Sequence, residues 1–205
     1  MNGYSLRRHA LGHGTLVQRA VVPEHLSASA WYRAHHNGEL IRVHAGVSRP
    51  SCTPETHHLR IEAALAAAMP GCVVAGPTAA WLWGSAAAWR RTIDLIAPPG
   101  RHPGRLDGVV FHRPTDTAML VTVKVAGFPV CDPVRSTLDL AAWHPAALSA
   151  VIDELLALGR LDIGALRDGL QHRRRHGRPG VATLERELRL RAANQMAPGM
   201  PSASG

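Results

Sequence analysis

Thirteen histidines, fifteen carboxylates and one lysine, Lys124, are the side chains with which this 205-residue chain could do chemistry. A zinc site needs ligands that converge, usually with a thiol or carboxylate among them. His172 and His176 stand four apart on a predicted helix, but Arg173, Arg174 and Arg175 lie between them and no acidic or thiol third ligand is near. His35-His36 and His57-His58 are adjacent pairs, and neighbours on a helix diverge by about 100°. The histidines are therefore expected at the surface, with no metal and no cofactor. Hydrolysis of a phosphodiester by a restriction-endonuclease site needs an acidic-x-Lys pair beside a second carboxylate, so that Mg²⁺ is held next to a lysine orienting water. Lys124 follows Thr122 and Val123, so that signature is missing. Asp94 and His112 could face each other across a sheet, but no second carboxylate accompanies them. A Gly-x-Ser-x-Gly elbow and a phosphate loop ending in Gly-Lys-Ser/Thr are also missing. These spacings point away from an enzyme.

The elements that would position side chains fall into two groups. In the first, Leu6 to Leu11 and Leu16 to Leu26 read as helices, and Ser27 is placed to cap a third that runs to about Asn37. Pro23 interrupts the second of these, and a proline inside a helix costs about 3 kcal/mol. Gly38 stops the third. Leu40 to Val47 then alternates around Arg42 and His44 as a strand pair closing on Gly46. Three short helices followed by a basic hairpin outline a winged helix over residues 1–50, with a polar, proline-bearing linker from Pro50 to Pro54 as its boundary. In the second group, Leu59 to Met69 and Thr78 to Trp83 are helical. Cys72 to Ala75, Thr92 to Ala97, Val109 to Arg113, Leu120 to Val125 and Phe128 to Cys131 are strands. Pro133 to Trp143, Pro145 to Leu158, Asp162 to Arg175 and Ala182 to Ala193 are amphipathic helices. A small mixed-sheet α/β domain over 55–193 with a helical cap is expected, then a Pro/Gly/Ser/Ala tail at 194–205 too poor in apolar residues to order itself. The fold class is α+β.

A formal charge of +8 favours an acidic partner, nucleic acid first among them. Part of that excess reflects composition, because arginine almost wholly replaces lysine in a chain rich in Ala, Gly and Pro. Position counts for more than the total. If the third helix is capped at Ser27, then Ser29, Tyr32, Arg33 and His36 share an exposed face while Ala30, Trp31 and Ala34 pack inward. A helix in that place enters the major groove, where Arg33 would contact guanine with both arms, worth about 1–3 kcal/mol of discrimination. Arg42, His44 and Arg49 would grip phosphates from the wing, and Arg7, Arg8 and Arg19 would clamp the backbone. Trp81, Trp83, Trp89 and Trp143 read as core at helical spacing or as a contact patch. Cys52, Cys72 and Cys131 are too scattered for a disulfide framework, no apolar run reaches the roughly 18 residues of a membrane span, and no signal-peptide core follows the N-terminal arginines. A cytoplasmic protein without a membrane partner is expected.

The stretch Gly127 to Ala141, Gly-Phe-Pro-Val-Cys-Asp-Pro-Val-Arg-Ser-Thr-Leu-Asp-Leu-Ala, has strand, turn and helix chemistry in sequence. Asp132 is placed to cap a helix that has Pro133 at its first position. Arg135 and Asp139, four apart, form a pair worth only about 0.2–0.5 kcal/mol on a helix surface. With Arg42-Val43-His44-Ala45-Gly46-Val47, Ala79-Ala80-Trp81-Leu82-Trp83-Gly84, Pro99-Gly100-Arg101, Asp153-Glu154-Leu155, Gly159-Arg160-Leu161 and Arg178-Pro179-Gly180 around it, the stretch resembles the actinobacterial AbiEi-like antitoxins over about residues 5 to 190. The resemblance marks Pro129, Pro133, Arg135 and Asp139 as signature positions. It implies a type IV toxin-antitoxin role: repression of the protein's own operon through operator DNA, and opposition to a cognate nucleotidyltransferase-like toxin. Many relatives continue into a restriction-endonuclease-like domain, which this chain would lack. Relatives also tend to carry several arginines on the third helix, where this chain has Ala28, Ala34, His35 and His36. Two other readings stay open: the DNA-targeting portion of a nuclease whose catalytic part is lost or separate, and a protein-interaction module with a degenerate winged helix.

Overall fold

The computed structural model describes residues 16–19, 28–100, 102–114, 120–174 and 179–196. In chain order these hold β1 (Val17–Gln18), α1 (Ala28–His36), β2 (Leu40–His44), β3 (Val47–Pro50), α2 (His57–Ala67), β4 (Val73–Val74), α3 (Gly76–Leu82), β5 (Ile93–Ile96) and β6 (Val109–His112). They continue with β7 (Thr122–Val125), β8 (Phe128–Cys131), α4 (Pro133–Trp143), α5 (Leu148–Ala157), α6 (Ile163–Arg174) and α7 (Val181–Met196). Short 3₁₀ turns at Ala86–Ala88 and Pro145–Ala147 complete the set. The fold is α+β, and the chain divides into two compact units, 1–73 with 91–115 and 74–90 with 116–205.

The first unit contains a three-stranded antiparallel sheet in the order β1-β3-β2, with Val17 opposite Ser48 and Ile41 opposite Arg49. Gly46, at φ +72°, turns the hairpin between β2 and β3, a left-handed conformation that glycine adopts without a Cβ penalty. The register slips between Arg42 and His44, a bulge in the outer strand. On α1 the i, i+1, i+4 positions Ala30, Trp31 and Ala34 are buried with Val17 and Leu40. His35 fixes that helix to the sheet, because its ring nitrogens lie 2.8 Å from the Trp31 carbonyl oxygen and 2.8 Å from the Ser48 hydroxyl. Thr56 caps α2 by accepting a bond from the Leu59 amide at 3.1 Å, and Leu59 and Ala63 bury against Leu16 and Val47. β5 and β6 run parallel, with Ile93 opposite Val109 and Ile96 opposite His112.

Three expectations are corrected here. Val17 and Gln18, expected inside a helix from Leu16 to Leu26, form a strand because β3 offers them a ladder, and the Arg19 amide continues it to the Gly46 carbonyl at 2.9 Å. His35, expected at the surface, is half-buried and structural. Pro50 ends β3 opposite Leu40, and α2 beyond it packs on β2 and β3, so Pro50 to Pro54 lies within the first unit. The expectations for Leu6–Leu11, Pro23 and Ser27 fall outside the described residues; of the tail expected over 194–205, residues 194–196 belong to α7 and the rest falls outside.

In the second unit Val74 of β4 pairs parallel with Val130 of β8, and β8 pairs antiparallel with β7 from Thr122–Cys131 to Val125–Phe128. Ala126 and Gly127, both at positive φ, make the two-residue turn whose twist suits a hairpin. Asp132 caps α4 by accepting from the Arg135 amide at 2.9 Å, with Pro133 at the first turn. Leu138, Leu140, Leu148, Val151, Ile152, Leu155, Leu166 and Leu184 make the core. Trp81 and Trp83 pack beside it, and the Trp83 indole donates to the Cys131 carbonyl at 2.9 Å. Trp89 is the exposed one of the four tryptophans. Among the described residues no helix is long and apolar enough to cross a membrane.

Candidate nucleic-acid interface

The buried stripe of α1 determines what its other side presents. With Ala30, Trp31 and Ala34 turned into the first unit's core, Ser29, Tyr32, Arg33 and His36 are exposed, Tyr32 by 56%. They occupy about two turns of one helix, a strip about 10 Å long at 1.5 Å per residue. All four can donate a hydrogen bond, and Arg33 carries a charge that forms no ion pair among the described residues. The strip extends to Arg19, just past β1: its guanidinium lies 5.6 Å from the centroid of the Tyr32 ring, and its Nη1 donates to the phenolic oxygen at 3.4 Å. Arg19 also lines an open cleft of about 470 Å³ formed with Gln18, the Ala45–Gly46 turn, Val47, Ala66 and Ala67.

The hairpin residues differ among themselves. Arg42 is exposed on the outer strand. His44 is half-buried, and loss of hydration lowers its pKa below the ordinary histidine value; Asp107 opposes that shift and Arg60 adds to it. It is a neutral hydrogen-bonding ring at neutral pH. Arg49 is turned toward its own chain: Nη1 donates to the Thr53 carbonyl at 2.6 Å, and Nη2 stands 3.9 Å from the Glu55 carboxylate. Its geometry is that of a loop tie, not of a free phosphate clamp. Arg7 and Arg8 lie outside the described residues.

The signature positions of the second unit are structural in placement. Pro129 sits in β8 opposite Lys124, and Pro133 opens α4. The surface ion pair expected of Arg135 and Asp139 is corrected: both side chains are 1% exposed, with Nε donating to the Asp139 carboxylate at 2.8 Å. Arg173 of α6 donates to the other carboxylate oxygen and, at 2.9 Å, to the Leu138 carbonyl. One carboxylate thus holds two guanidinium groups and joins two helices. Beside it the Cys131 thiol is pushed far above its ordinary pKa, chiefly by burial and also by the Asp139 charge, and is inert as a nucleophile.

In the first unit, Asp94 and His112 do meet: the His112 Nε2 stands 2.8 Å from Oδ1 of the fully buried Asp94. The spacing alone suggested that contact, whereas the part played by Arg173 had no signal in the sequence. Among the described residues no three His, Cys, Asp or Glu side chains converge as metal ligands.

The class that these elements define is an α+β protein with a helix and hairpin presenting polar and basic groups. No family model matches the chain, and no curated protein matches it. Among solved structures it is similar to the crystal structure of the RV2827C protein from Mycobacterium tuberculosis, with 21% identity and a TM-score of 0.60 over 91% of this chain and 74% of that one. At that identity the likeness establishes the fold alone.

Proposed function

We propose that the chain is a non-catalytic, cytoplasmic DNA-binding protein, an antitoxin and autoregulator that represses its own operator and counters a nucleotidyltransferase-like toxin. The observation that carries the DNA reading is the exposed strip of Ser29, Tyr32, Arg33 and His36 on a helix whose opposite side is sealed by Trp31. That helix precedes a hairpin, and β1 closes onto β3 in the order β1-β3-β2, an arrangement that favours a winged helix. In that reading α1 lies in the major groove, Arg33 reads guanine, and Arg19 and Arg42 hold phosphates. The antitoxin role and the toxin partner rest on the resemblance of Gly127 to Ala141 and its flanking motifs to the AbiEi-like family.

Fluorescence anisotropy of the full chain with DNA from its own promoter and with scrambled DNA, across a salt series, tests the reading. Promoter-selective binding that Arg33→Ala weakens by about 1–3 kcal/mol supports it. Equal, weak binding to both DNAs that modest salt abolishes refutes it.

A further inference from the structure

Helices α6 and α7 of the second unit enclose an open groove of about 410 Å³, floored by Leu170, Leu188 and Ala192. Arg167 and Arg174 stand on its α6 side and Arg189 on its α7 side; among the described residues Glu185 is the one lining carboxylate, and it is held by Arg174 at 3.3 Å. The surface continues over the crest of α7, where Ala182, Arg186, Arg189, Leu190 and Ala193 follow one another at helical spacing around a second open hollow. Leu190 is 54% exposed. Arg167 and Arg186 make no ion pair among the described residues, and Arg189 reaches only the Glu185 carbonyl, at 3.3 Å. The inner face of α7 is saturated: Leu184 enters the core, as does Leu188 beneath the groove, and Arg191 bridges Glu187, Asp153 and Ser149. Among the described residues Arg174 is answered by Glu185 and Arg186 acts on the neighbouring Glu187 charge, which still leaves the outer face with more arginines than carboxylates.

We propose that the α6–α7 surface docks an amphipathic α-helix of a partner protein whose apolar stripe is flanked by Asp and Glu. The apolar floor and the exposed Leu190 match such a stripe, the small Ala182 and Ala193 allow close approach, and the arginines match the flanking carboxylates. Nucleic acid fits less well, because the lining offers no aromatic ring on which a base could stack and its floor is hydrocarbon. A second copy fits less well again, since a two-fold contact along α7 sets Arg186 and Arg189 against themselves. The inference does not depend on the DNA reading.

The test uses the full chain and a synthetic helical peptide of about 18 residues, five turns, with leucines at i, i+4 and i+7 flanked by glutamates. The comparison probes are the same peptide with its leucines scrambled, the same peptide with lysine for glutamate, and a DNA duplex. Binding is read by amide shifts in nuclear magnetic resonance and by anisotropy. The acidic amphipathic peptide is expected to bind, shifting amides of Gln171 and of α7 from Ala182 to Ala193. R186E with R189E is expected to weaken it about tenfold or more, and so is Leu190→Asp, while thermal melting stays near wild type because these side chains are exposed. Equal binding of the scrambled peptide reduces the surface to charge alone and overturns the proposal. So does DNA, but not peptide, shifting these amides, or no binding by any probe.

Discussion

Arg135 and Asp139 form an ion pair one helical turn apart that is almost wholly removed from water, and Arg173 completes it from a helix 34 residues downstream. Two guanidinium groups share one carboxylate, so the carboxylate is the member the fold can least lose. Asp139→Asn is expected to destabilise the second unit by about 3–5 kcal/mol, because it removes the one charge that both buried guanidinium groups share. Replacing all three residues together by Leu and Met of similar volume is expected to cost much less, since no buried charge then remains. Urea denaturation of both variants measures the difference. Equal losses would show that shape and not charge compensation holds α4 to α6.

The basic residues of the first unit separate into two kinds by what their guanidinium groups touch. Arg42 is exposed, and its replacement by Ala is expected to weaken binding to all DNA sequences alike and to make the salt dependence shallower by about one phosphate contact. Arg49 bonds the Thr53 carbonyl and faces Glu55, so Arg49→Ala is expected to lower the melting temperature while changing DNA affinity little. A salt series with each variant, alongside thermal melts, checks both outcomes.

What could be read in advance followed from short-range physics. The inward stripe Ala30, Trp31, Ala34 and the Asp132–Pro133 start of α4 depend on residues within a turn of each other, and the sequence displays them directly. The 3.6-residue period also located most helices of the second unit. Three things depended on distant partners. Val17 and Gln18 carry no strand pattern of their own and become a strand only because Ser48 and Val47 stand opposite. His35 is half-buried because its ring meets the Ser48 hydroxyl. Arg135 and Asp139 look like a surface pair until Arg173 and the surrounding core are in place, since i, i+4 spacing is the same on either face of a helix.

Acid is expected to act on the first unit through His44 and His57, whose pKa values are both lowered below 6.5, with loss of hydration as the largest cause. A histidine with a depressed folded pKa is neutral in the folded chain and more readily protonated in the unfolded one. Its contribution to stability is therefore full above the unfolded pKa and shrinks as pH falls below about 6.5, until the folded value is reached. For DNA binding the sign is opposite, because a protonated His44 adds a cation to the hairpin. Melting temperatures of wild type and His44→Gln between neutral and mildly acidic pH, with anisotropy at the same points, follow both effects. The gap between the two should stay constant near neutral pH and change only on the acid side. A gap that already changes with pH above neutral would show that His44 titrates there.

Gly180 precedes α7 at φ +85°, and a Cβ built on it would lie 2.6 Å from the Ala142 backbone nitrogen and 2.8 Å from the Ala141 carbonyl carbon. Gly159, at φ +62°, follows α5 with no atom within 4 Å of the corresponding position. Both glycines hold a left-handed conformation, so alanine at either costs about 1–2 kcal/mol from the backbone alone. Only at Gly180 does the added methyl meet main chain, which cannot swing away as a side-chain tip can. Gly180→Ala is accordingly expected to cost about 1–3 kcal/mol more than Gly159→Ala, from forced displacement of α7 from α4. Because α7 also carries the arginine-lined outer surface, the same substitution should weaken capture of the acidic helical peptide, whereas Gly159→Ala should not. Chemical denaturation gives the energies and the peptide titration gives the coupling. Equal destabilisation by the two variants would mean that the approach of Gly180 to Ala142 is loose enough to absorb a methyl group.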